Sequence, residues 1–205
     1  MSLEMRYIDH GTGGGPEVLR MTSGPVPVPG PGELLIEVAY AGVNRPDCAQ
    51  RIGRYPPPLD ASPIIGLEVS GRVAQVGPGV QEWLPGDFVC ALTPGGGYAQ
   101  YCVVPASHCL PIPAGWRLDA AACVPEAMFT VWENVFRRAR LRSGETILVH
   151  GASGGVGNAA VQLASVTGAT VIATAGSPEK VQRCLAIGAH HGIDYRNQDF
   201  VAAVQ

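Results

Sequence analysis

The most constraining feature of the sequence is a set of glycines that lies between a predicted strand and a predicted helix. Thr146–Val149 is a short apolar run of β-forming residues, which is typical of a strand buried on both faces. Gly151, Gly154 and Gly157 follow it, and apolar residues then recur at helical spacing. A second β-forming run starts at Thr170. The pattern therefore predicts a strand, a tight turn, a helix and a parallel strand.

This glycine turn predicts a binding site for a dinucleotide. The first glycine permits a sharp turn, the middle one lets the backbone approach a pyrophosphate, and the last lets the helix pack closely. Free N–H groups and the helix dipole would then meet the diphosphate. A merely structural turn is the alternative, and the position between strand and helix favours the ligand site. The residues predicted to bind the cofactor here are Gly151, Ala152, Ser153, Gly154, Gly155, Val156 and Gly157.

The end of the second strand favours NADPH over NADH. NAD sites usually place an Asp or Glu there to bind the ribose 2′-hydroxyl. This sequence instead has Gly176 and Ser177, with Lys180 just beyond, so no carboxylate would repel a 2′-phosphate. Charge-assisted hydrogen bonds of about 1.5–3 kcal/mol would favour the phosphate. An alternative role for Ser177 and Pro178 is to begin the next helix, and both roles are compatible.

Composition excludes several classes of function. The chain has 205 residues, 15% of them charged, a net charge of −3 and no basic block, which argues against nucleic acid and anionic membrane as partners. No apolar run approaches the roughly 20 residues of a membrane span. The six cysteines form no C-x-x-C pair, so they signal neither a zinc site nor a dithiol. We expect a cytoplasmic protein with reduced, mostly buried cysteines.

The first half of the chain is predicted to be a small all-β barrel. Short strand candidates separated by Gly/Pro turns recur at roughly ten-residue spacing. Glycines and prolines dominate residues 24–32, which are predicted to be extended or turn because proline cannot continue a helix. A short helix is predicted around residues 48–52. The predicted strands are residues 5–8, 34–41, 69–76, 88–92 and 98–104.

The second half is predicted to be the beginning of an α/β domain. Residues 118–140 favour helix with an interruption at Pro125, and the domain boundary is placed there, giving domains 1–124 and 125–205. A helix over 178–187, a strand over 191–195 and the start of a further helix complete the pattern. A full dinucleotide fold has about six strands. This sequence holds only the first half of such a fold, so we expect a truncated chain, and whether these 205 residues are active alone stays open at this point.

Several motifs resemble one known family when taken in order. They are Asn44-Arg45-Pro46-Asp47, Gly66-Leu67-Glu68-Val69-Ser70-Gly71, Gly97-Tyr98-Ala99-Gln100-Tyr101 and the glycine turn. With these motifs the chain resembles the zinc-free quinone oxidoreductases of the medium-chain dehydrogenase/reductase superfamily, and most closely the p53-inducible type. The resemblance implies a GroES-like β barrel followed by the first half of a Rossmann doubly wound parallel sheet. It also implies a homodimer in the full-length form.

The resemblance further implies hydride transfer from NADPH to a quinone without a metal. Zinc-dependent relatives have a Cys and a His as ligands where this chain has Asn44 and Leu67, and neither is a good zinc ligand. The runner-up reaction is the reduction of α,β-unsaturated ketones or enals. A different class of function is also open, namely an NADPH-binding protein without turnover or an inactive fragment.

Four further site residues are implied by the resemblance, each with a competing structural role. Asn44 and Tyr55 would line the acceptor cleft, but Asn44 is also a typical turn residue and Tyr55 a typical surface aromatic. Thr130 would lie near the nicotinamide, or its hydroxyl would bond to the main chain of its helix. Tyr195 would lie near the 2′-phosphate, or be an ordinary strand aromatic. Glu68 is expected to be a structural acid with a buried partner.

Overall fold

The computed structural model describes residues 3–205, which divide into two compact units. The first unit ends at Glu126 and the second is Ala127–Gln205, so the division lies two residues after the boundary predicted between residues 124 and 125. Among the described residues, no helix is both long enough and apolar enough to cross a membrane.

The first unit is built from β-strands. They are β1 (Glu4–Asp9), β2 (Arg20–Pro25), β3 (Glu33–Ala41), β4 (Glu68–Val76), β5 (Phe88–Leu92), β6 (Tyr101–Pro105) and β7 (Cys109–Pro111). Strands β3 to β7 form one antiparallel sheet in the order β6-β3-β4-β5-β7, and β1 and β2 form an antiparallel pair. The helices of this unit are α1 (Arg45–Arg51) and α2 (Leu118–Ala121), with 3-10 turns at Pro16–Val18 and Ala106–His108.

A core of β-branched and aliphatic side chains holds the five-stranded sheet together. Leu34 and Ile36 of β3 are fully buried and pack with buried residues of the neighbouring strands, such as Val69 and Val104. Register shifts in β3, between Leu35 and Ile36 and again near Tyr40, interrupt its pairing with β4. Such bulges bend a strand, which lets the sheet curve around its core.

The second unit is a three-stranded parallel sheet with helical connections. Its strands are β8 (Thr146–Val149), β9 (Thr170–Ala175) and β10 (His191–Asp194), in the order β10-β9-β8. Its helices are α4 (Gly155–Val166), α5 (Pro178–Ala186) and α6 (Phe200–Val204). The chain enters this unit through α3 (Pro125–Val131), which continues as a π-helix over Trp132–Arg138. The core is made mostly of small residues, such as Ala159, Val161 and Ala164 of α4.

The predicted fold class is confirmed: a β unit is followed by the first three strands of a Rossmann-type parallel sheet. Two strands, β2 and β7, were missed, because β2 contains a glycine and ends at a proline and β7 has only three residues. The strand predicted over 98–104 starts later, at Tyr101, because Tyr98 and Gln100 bond to β1 instead. The amide of Ile8 donates to Tyr98 O, and Gln100 N donates to Arg6 O.

Candidate cofactor and acceptor sites

The glycine turn of the second unit has the geometry that its spacing predicts. Gly151 has φ +60°, a left-handed conformation that favours glycine. A Cβ on Gly157 would lie 2.5 Å from Gly151 O and 2.7 Å from the Ala152 Cα, so only glycine lets α4 pack against the turn. The first hydrogen bond of α4 runs from Asn158 N to Gly154 O. The turn therefore leads directly into the helix.

Three backbone amides are free at the start of α4. Within residues 3–205, the N–H groups of residues 155–157 have no hydrogen-bond acceptor. A Cβ on Gly155 would meet nothing within 4 Å, so the space in front of these amides is open. Unpaired amides at the positive end of a helix dipole form a ready site for a phosphate group.

Not every predicted residue of the turn faces solvent. Ser153, Gly154, Gly155 and Val156 are exposed, whereas Ala152 is fully buried and its amide donates to Thr174 O at 3.0 Å. Ala152 thus links the turn to β9, and its methyl group is not available to a ligand. The exposed members of the turn remain the predicted contacts for a diphosphate.

The end of β9 forms a small cradle around Gly176. A Cβ at Gly176 would lie 2.6 Å from the Tyr195 hydroxyl oxygen and 3.5 Å from Arg196 Nε. Both side chains follow β10 and are exposed, so the parallel pairing of β9 with β10 brings them beside Gly176. The bare backbone of Gly176 therefore leaves room for a phenol and a guanidinium at the place where the sequence predicts a 2′-phosphate.

Ser177 and Lys180 lie at the start of α5, directly after Gly176 in the chain. Ser177 is the N-cap of α5 and its hydroxyl oxygen accepts a hydrogen bond from Lys180 N at 3.3 Å, so the capping role is present. The Lys180 side chain is exposed and has no ion-pair partner within the described residues. The hydroxyl hydrogen of Ser177 and the ammonium of Lys180 are both available to a ligand.

The carboxylates near the cradle are occupied by other partners. Glu179 pairs with Arg183 at 2.6 Å, on the exposed surface of α5. Asp194 is buried and accepts from Arg196 N and from Asn197 Nδ2. The cations of Lys180 and Arg196 are therefore not neutralised by these acids, and the cradle has a net positive charge.

Thr130 lies in α3 and is half-buried. Its carbonyl oxygen accepts from Asn134 Nδ2 at 2.8 Å. Its hydroxyl forms no hydrogen bond within residues 3–205, so the alternative of a hydroxyl bonded to the main chain is absent there. The predicted contact of Thr130 with a nicotinamide stays a prediction.

In the first unit, Asn44 lies immediately before α1 and contacts a buried acid. Its Nδ2 donates to Glu68 Oε1 at 2.8 Å, and its backbone N donates to Asp47 Oδ2 at 2.7 Å. Asp47 thereby caps α1, as its position in the sequence suggests. Glu68 is 3% exposed and its Oε2 accepts from Glu126 N at 3.0 Å. Hydrogen bonds to both its main chain and its side chain thus hold Asn44 in place.

The acids around Asn44 are held in an environment that disfavours charge. Burial raises the pKa of Glu68, against the opposing hydrogen bonds from Asn44 and Glu126. Burial also raises the pKa of Glu126, and the Glu68 and Asp47 carboxylates raise it further. Tyr98 donates to Asp47 Oδ2 at 2.8 Å, and its pKa is raised by burial and by this bond. The cluster therefore joins α1, β4 and the start of α3.

Tyr55 is not brought into this cluster. It lies in the loop after α1, 46% of it is exposed, and no hydrogen bond joins it to Asn44 within residues 3–205. Leu67, at the second position where zinc-dependent relatives have a ligand, is 7% exposed and apolar. The described residues contain no group of three or more His, Cys, Asp or Glu side chains that could hold a metal ion.

Sequence reasoning missed two features of these sites. Arg196 was not predicted to belong to the phosphate cradle, although a cation directly after the predicted Tyr195 is a usable signal. The bond between Glu68 and Asn44 was also missed, because it joins residues 24 positions apart. A buried acid at the start of a strand signals a partner but does not say which one.

Comparison with known proteins matches both units to dehydrogenase families. Residues 30–114 match the family described as alcohol dehydrogenase GroES-like domain, and residues 155–205 match zinc-binding dehydrogenase. Among curated proteins, the rat quinone oxidoreductase is 38% identical over 198 residues, which are 94% of this chain and 59% of that protein. The phthioceranic/hydroxyphthioceranic acid synthase of Mycobacterium tuberculosis is 34% identical over 177 residues, 86% of this chain but only 8% of the synthase.

Solved structures show the same fold. A quinone oxidoreductase from Pseudomonas syringae superposes with a TM-score of 0.85 at 34% identity, over 98% of this chain and 62% of that one. A mycobacterial protein complexed with NADPH has a TM-score of 0.82 at 36% identity, over 93% and 58%. The CurK enoyl reductase has a TM-score of 0.87 at 28% identity, over 98% and 62%. The chain thus spans about three fifths of the length of these solved chains.

Proposed function

Because this chain belongs to the quinone oxidoreductase-type family of the medium-chain dehydrogenase/reductase superfamily, we propose that the protein transfers hydride from NADPH to a quinone. The observation that carries the proposal is the open glycine turn with free amides at the start of α4. A dinucleotide diphosphate fits that place by charge and by shape. When bound, the cofactor supplies the hydride.

The preference for NADPH is supported by the cradle at the end of β9. A 2′-phosphate lying over Gly176 would be within reach of the Tyr195 hydroxyl and of the Ser177 hydroxyl. The side chains of Lys180 and Arg196 would supply two positive charges. Since the nearby acids are engaged elsewhere, the phosphate gains these bonds without facing a free carboxylate.

Reduction without a metal is supported by the residues of the first unit. Asn44 and Leu67 stand where zinc-dependent relatives have ligands, and a carboxamide and an isobutyl group are poor ligands for zinc. A quinone needs little activation, because the hydroquinone formed is aromatic. The Asn44 amide would donate to the acceptor oxygen as it becomes negative, and the exposed Tyr55 would stack on the ring or donate to it.

The direct test is oxidation of NADPH by the purified protein with a panel of acceptors. We expect turnover with several quinones, a much lower rate with NADH at equal concentration, and no loss of rate after dialysis against a chelator. Binding of NADPH without turnover of any acceptor would favour a binding protein instead. Absence of NADPH binding would refute the proposed cofactor site itself.

Reduction of α,β-unsaturated carbonyl compounds is the second candidate. It is favoured by the superposition of the CurK enoyl reductase on this chain, with a TM-score of 0.87. Hydride would then be added to a carbon conjugated with a carbonyl, and the Asn44 amide would donate to the enolate oxygen. Including enones, enals and enoyl thioesters in the acceptor panel distinguishes the two reactions by their values of kcat/KM.

A further inference from the structure

Glu68 is a buried carboxylate that no part of the proposed reaction uses directly. It is 3% exposed, and its two oxygens accept one hydrogen bond each, from Asn44 Nδ2 at 2.8 Å and from Glu126 N at 3.0 Å. The structure gives it no ion-pair partner within residues 3–205. A buried charge without a cation is costly, so a neutral side chain would serve better if packing were its only task.

The backbone around Asn44 is shaped to admit this carboxylate. A Cβ on Gly42 would overlap Glu68 Oε1, so the turn before α1 comes closer to the carboxylate than any other residue type allows. The amide of Gly42 also donates to the backbone oxygen of Glu68 at 3.2 Å. The turn that presents Asn44 is therefore built against Glu68.

Glu68 and the capping box of α1, in which the Asn44 side-chain oxygen accepts from Asp47 N, together set which way the Asn44 amide faces. An ionised carboxylate has only acceptors, so Asn44 must turn its Nδ2, and not its oxygen, towards Glu68. One N–H of the amide is used in this bond, and the second N–H has no acceptor within the described residues. Because the amide is planar, fixing one N–H also fixes the direction of the other. A neutral partner with both donors and acceptors would leave this choice to the capping box alone.

We propose that Glu68 is a positioning residue for hydride transfer: it holds the Asn44 carboxamide so that its second N–H donates to the acceptor oxygen. The inference rests on the proposed function. In the reaction, the cofactor is oxidised to NADP+ as the acceptor gains a hydride. The negative charge that develops on the acceptor oxygen is met by the Asn44 N–H, and the oxygen then takes one proton from solvent. Glu68 gains and loses no proton in this cycle.

A pH dependence follows from the surroundings of Glu68. Among the described residues, the titratable groups that interact with it are acids, thiols and a phenol, and none is basic: Asp47, Tyr98, Cys90, Cys123 and Glu126. Protonated Glu68 carries an O–H donor and no longer requires Nδ2 to face it. The rate should therefore fall in acid as Glu68 gains a proton, at a higher pH than an exposed glutamate would, because burial raises its pKa.

The first test compares Glu68→Gln with Glu126→Gln in steady-state quinone reduction. Asn44 Nδ2 and Glu126 N face different oxygens of Glu68, and glutamine replaces one of these oxygens with an NH2 donor, so it cannot accept both bonds in place. We expect kcat to fall about ten- to hundredfold in Glu68→Gln, a smaller loss than the deletion of an oxyanion donor causes. KM and the affinity for NADPH should stay near their wild-type values. Glu126→Gln is the matched control, because its side chain does not contact Asn44, and it should retain the wild-type kcat.

The second test starts from Asn44→Ala, whose pH profile can be measured without any substitution at Glu68. If the fall of kcat at low pH reports protonation of Glu68 acting through Asn44, that fall should disappear in Asn44→Ala. Adding Glu68→Gln to Asn44→Ala should then lower kcat no further. An unchanged kcat in Glu68→Gln, or a fall of kcat at low pH that persists in Asn44→Ala, would overturn the positioning role while wild-type turnover still upheld the proposed function. Lack of wild-type turnover would instead refute the proposed function.

Discussion

At the scale of single residues, the proposed preference for NADPH depends most on Lys180, an exposed cation without an ion-pair partner in the described chain. In Lys180→Asp we expect the NADPH dissociation constant to rise about ten- to hundredfold, because a charge-assisted bond of about 1.5–3 kcal/mol is lost. NADH affinity should change little, since NADH has no 2′-phosphate. Calorimetric titration with both cofactors measures the two effects.

A control for this substitution must change the net charge equally. Arg142→Asp does so at an exposed residue before β8, at the end of the parallel strands opposite the glycine turn. It should leave both affinities near wild type. Equal losses of NADPH and NADH in Lys180→Asp would contradict the assignment of the cradle to the 2′-phosphate.

Gly176 tests the same cradle without any change of charge. A Cβ in Gly176→Ala would lie 2.6 Å from the Tyr195 hydroxyl oxygen, and this half-exposed side chain can swing away at little cost to stability. We expect the NADPH dissociation constant to rise about tenfold, the effect of one lost hydrogen bond, with an unchanged denaturation midpoint. Tyr195→Phe should cause a similar loss, and Gly176→Ala should add little to it. Independent, additive losses would show that Tyr195 does not act through this contact.

At the scale of elements, the packing of α4 against the glycine turn is the contact that tolerates an added side-chain atom least. In Gly157→Ala the new Cβ would meet backbone atoms of Gly151 and Ala152, which cannot rotate away. We expect a loss of about 1–3 kcal/mol in the free energy of unfolding, as for overpacked sites, together with loss of NADPH binding. Urea denaturation and cofactor titration measure the two.

Gly155→Ala is the matched control on the same turn. A Cβ there has no neighbour within 4 Å, so stability should be kept. NADPH affinity should still fall, because the methyl group would occupy the space in front of the free amides. If Gly157→Ala proved as stable as Gly155→Ala, the close packing of α4 on the turn would not be what requires glycine at residue 157.

Elements that depend on local pattern were predicted well from the sequence. Strand β8 and helices α4 and α5 follow from a short apolar run, a glycine turn and a Ser-Pro cap, all of which are local signals. Strand β2 and the π form of the predicted helix over Trp132–Arg138 were not predicted, because their hydrogen bonds are chosen by tertiary packing.

The same distinction applies to the candidate sites. The glycine turn is a contiguous motif, so its exposed residues could be named in advance. The bond from Glu126 N to Glu68 joins residues 58 positions apart, and the approach of Arg196 to Gly176 depends on the pairing of β10 with β9. No rule based on the spacing of residues in the sequence predicts such contacts, which are recognised only in the three-dimensional structure.

At the scale of the whole molecule, the buried acids of the first unit should make stability depend on pH. Burial raises the pKa of both Glu68 and Glu126 in the folded state, so the folded chain holds protons more tightly than the unfolded chain. Their contribution to stability is fully present below the usual glutamate range and is lost as pH rises through the raised values. Asp119 acts in the opposite sense, with a pKa lowered to about 2 by Arg117, and its contribution is lost only in strong acid.

These opposing effects separate into two pH windows that denaturation can resolve. From the usual glutamate range up to neutrality, the wild-type free energy of unfolding should fall as pH rises, because Glu68 and Glu126 must give up their protons inside the fold. A Glu68→Gln/Glu126→Gln variant lacks both titrations, so its curve should be flatter there, while an Arg117→Gln variant should keep the wild-type slope. Urea titrations at several pH values, followed by circular dichroism, measure the free energy of unfolding of all three proteins.

Since quinone reduction should rise with pH as Glu68 ionises, activity and stability would then change in opposite directions. Parallel changes of activity and stability with pH would show that the buried charge is not what orients Asn44.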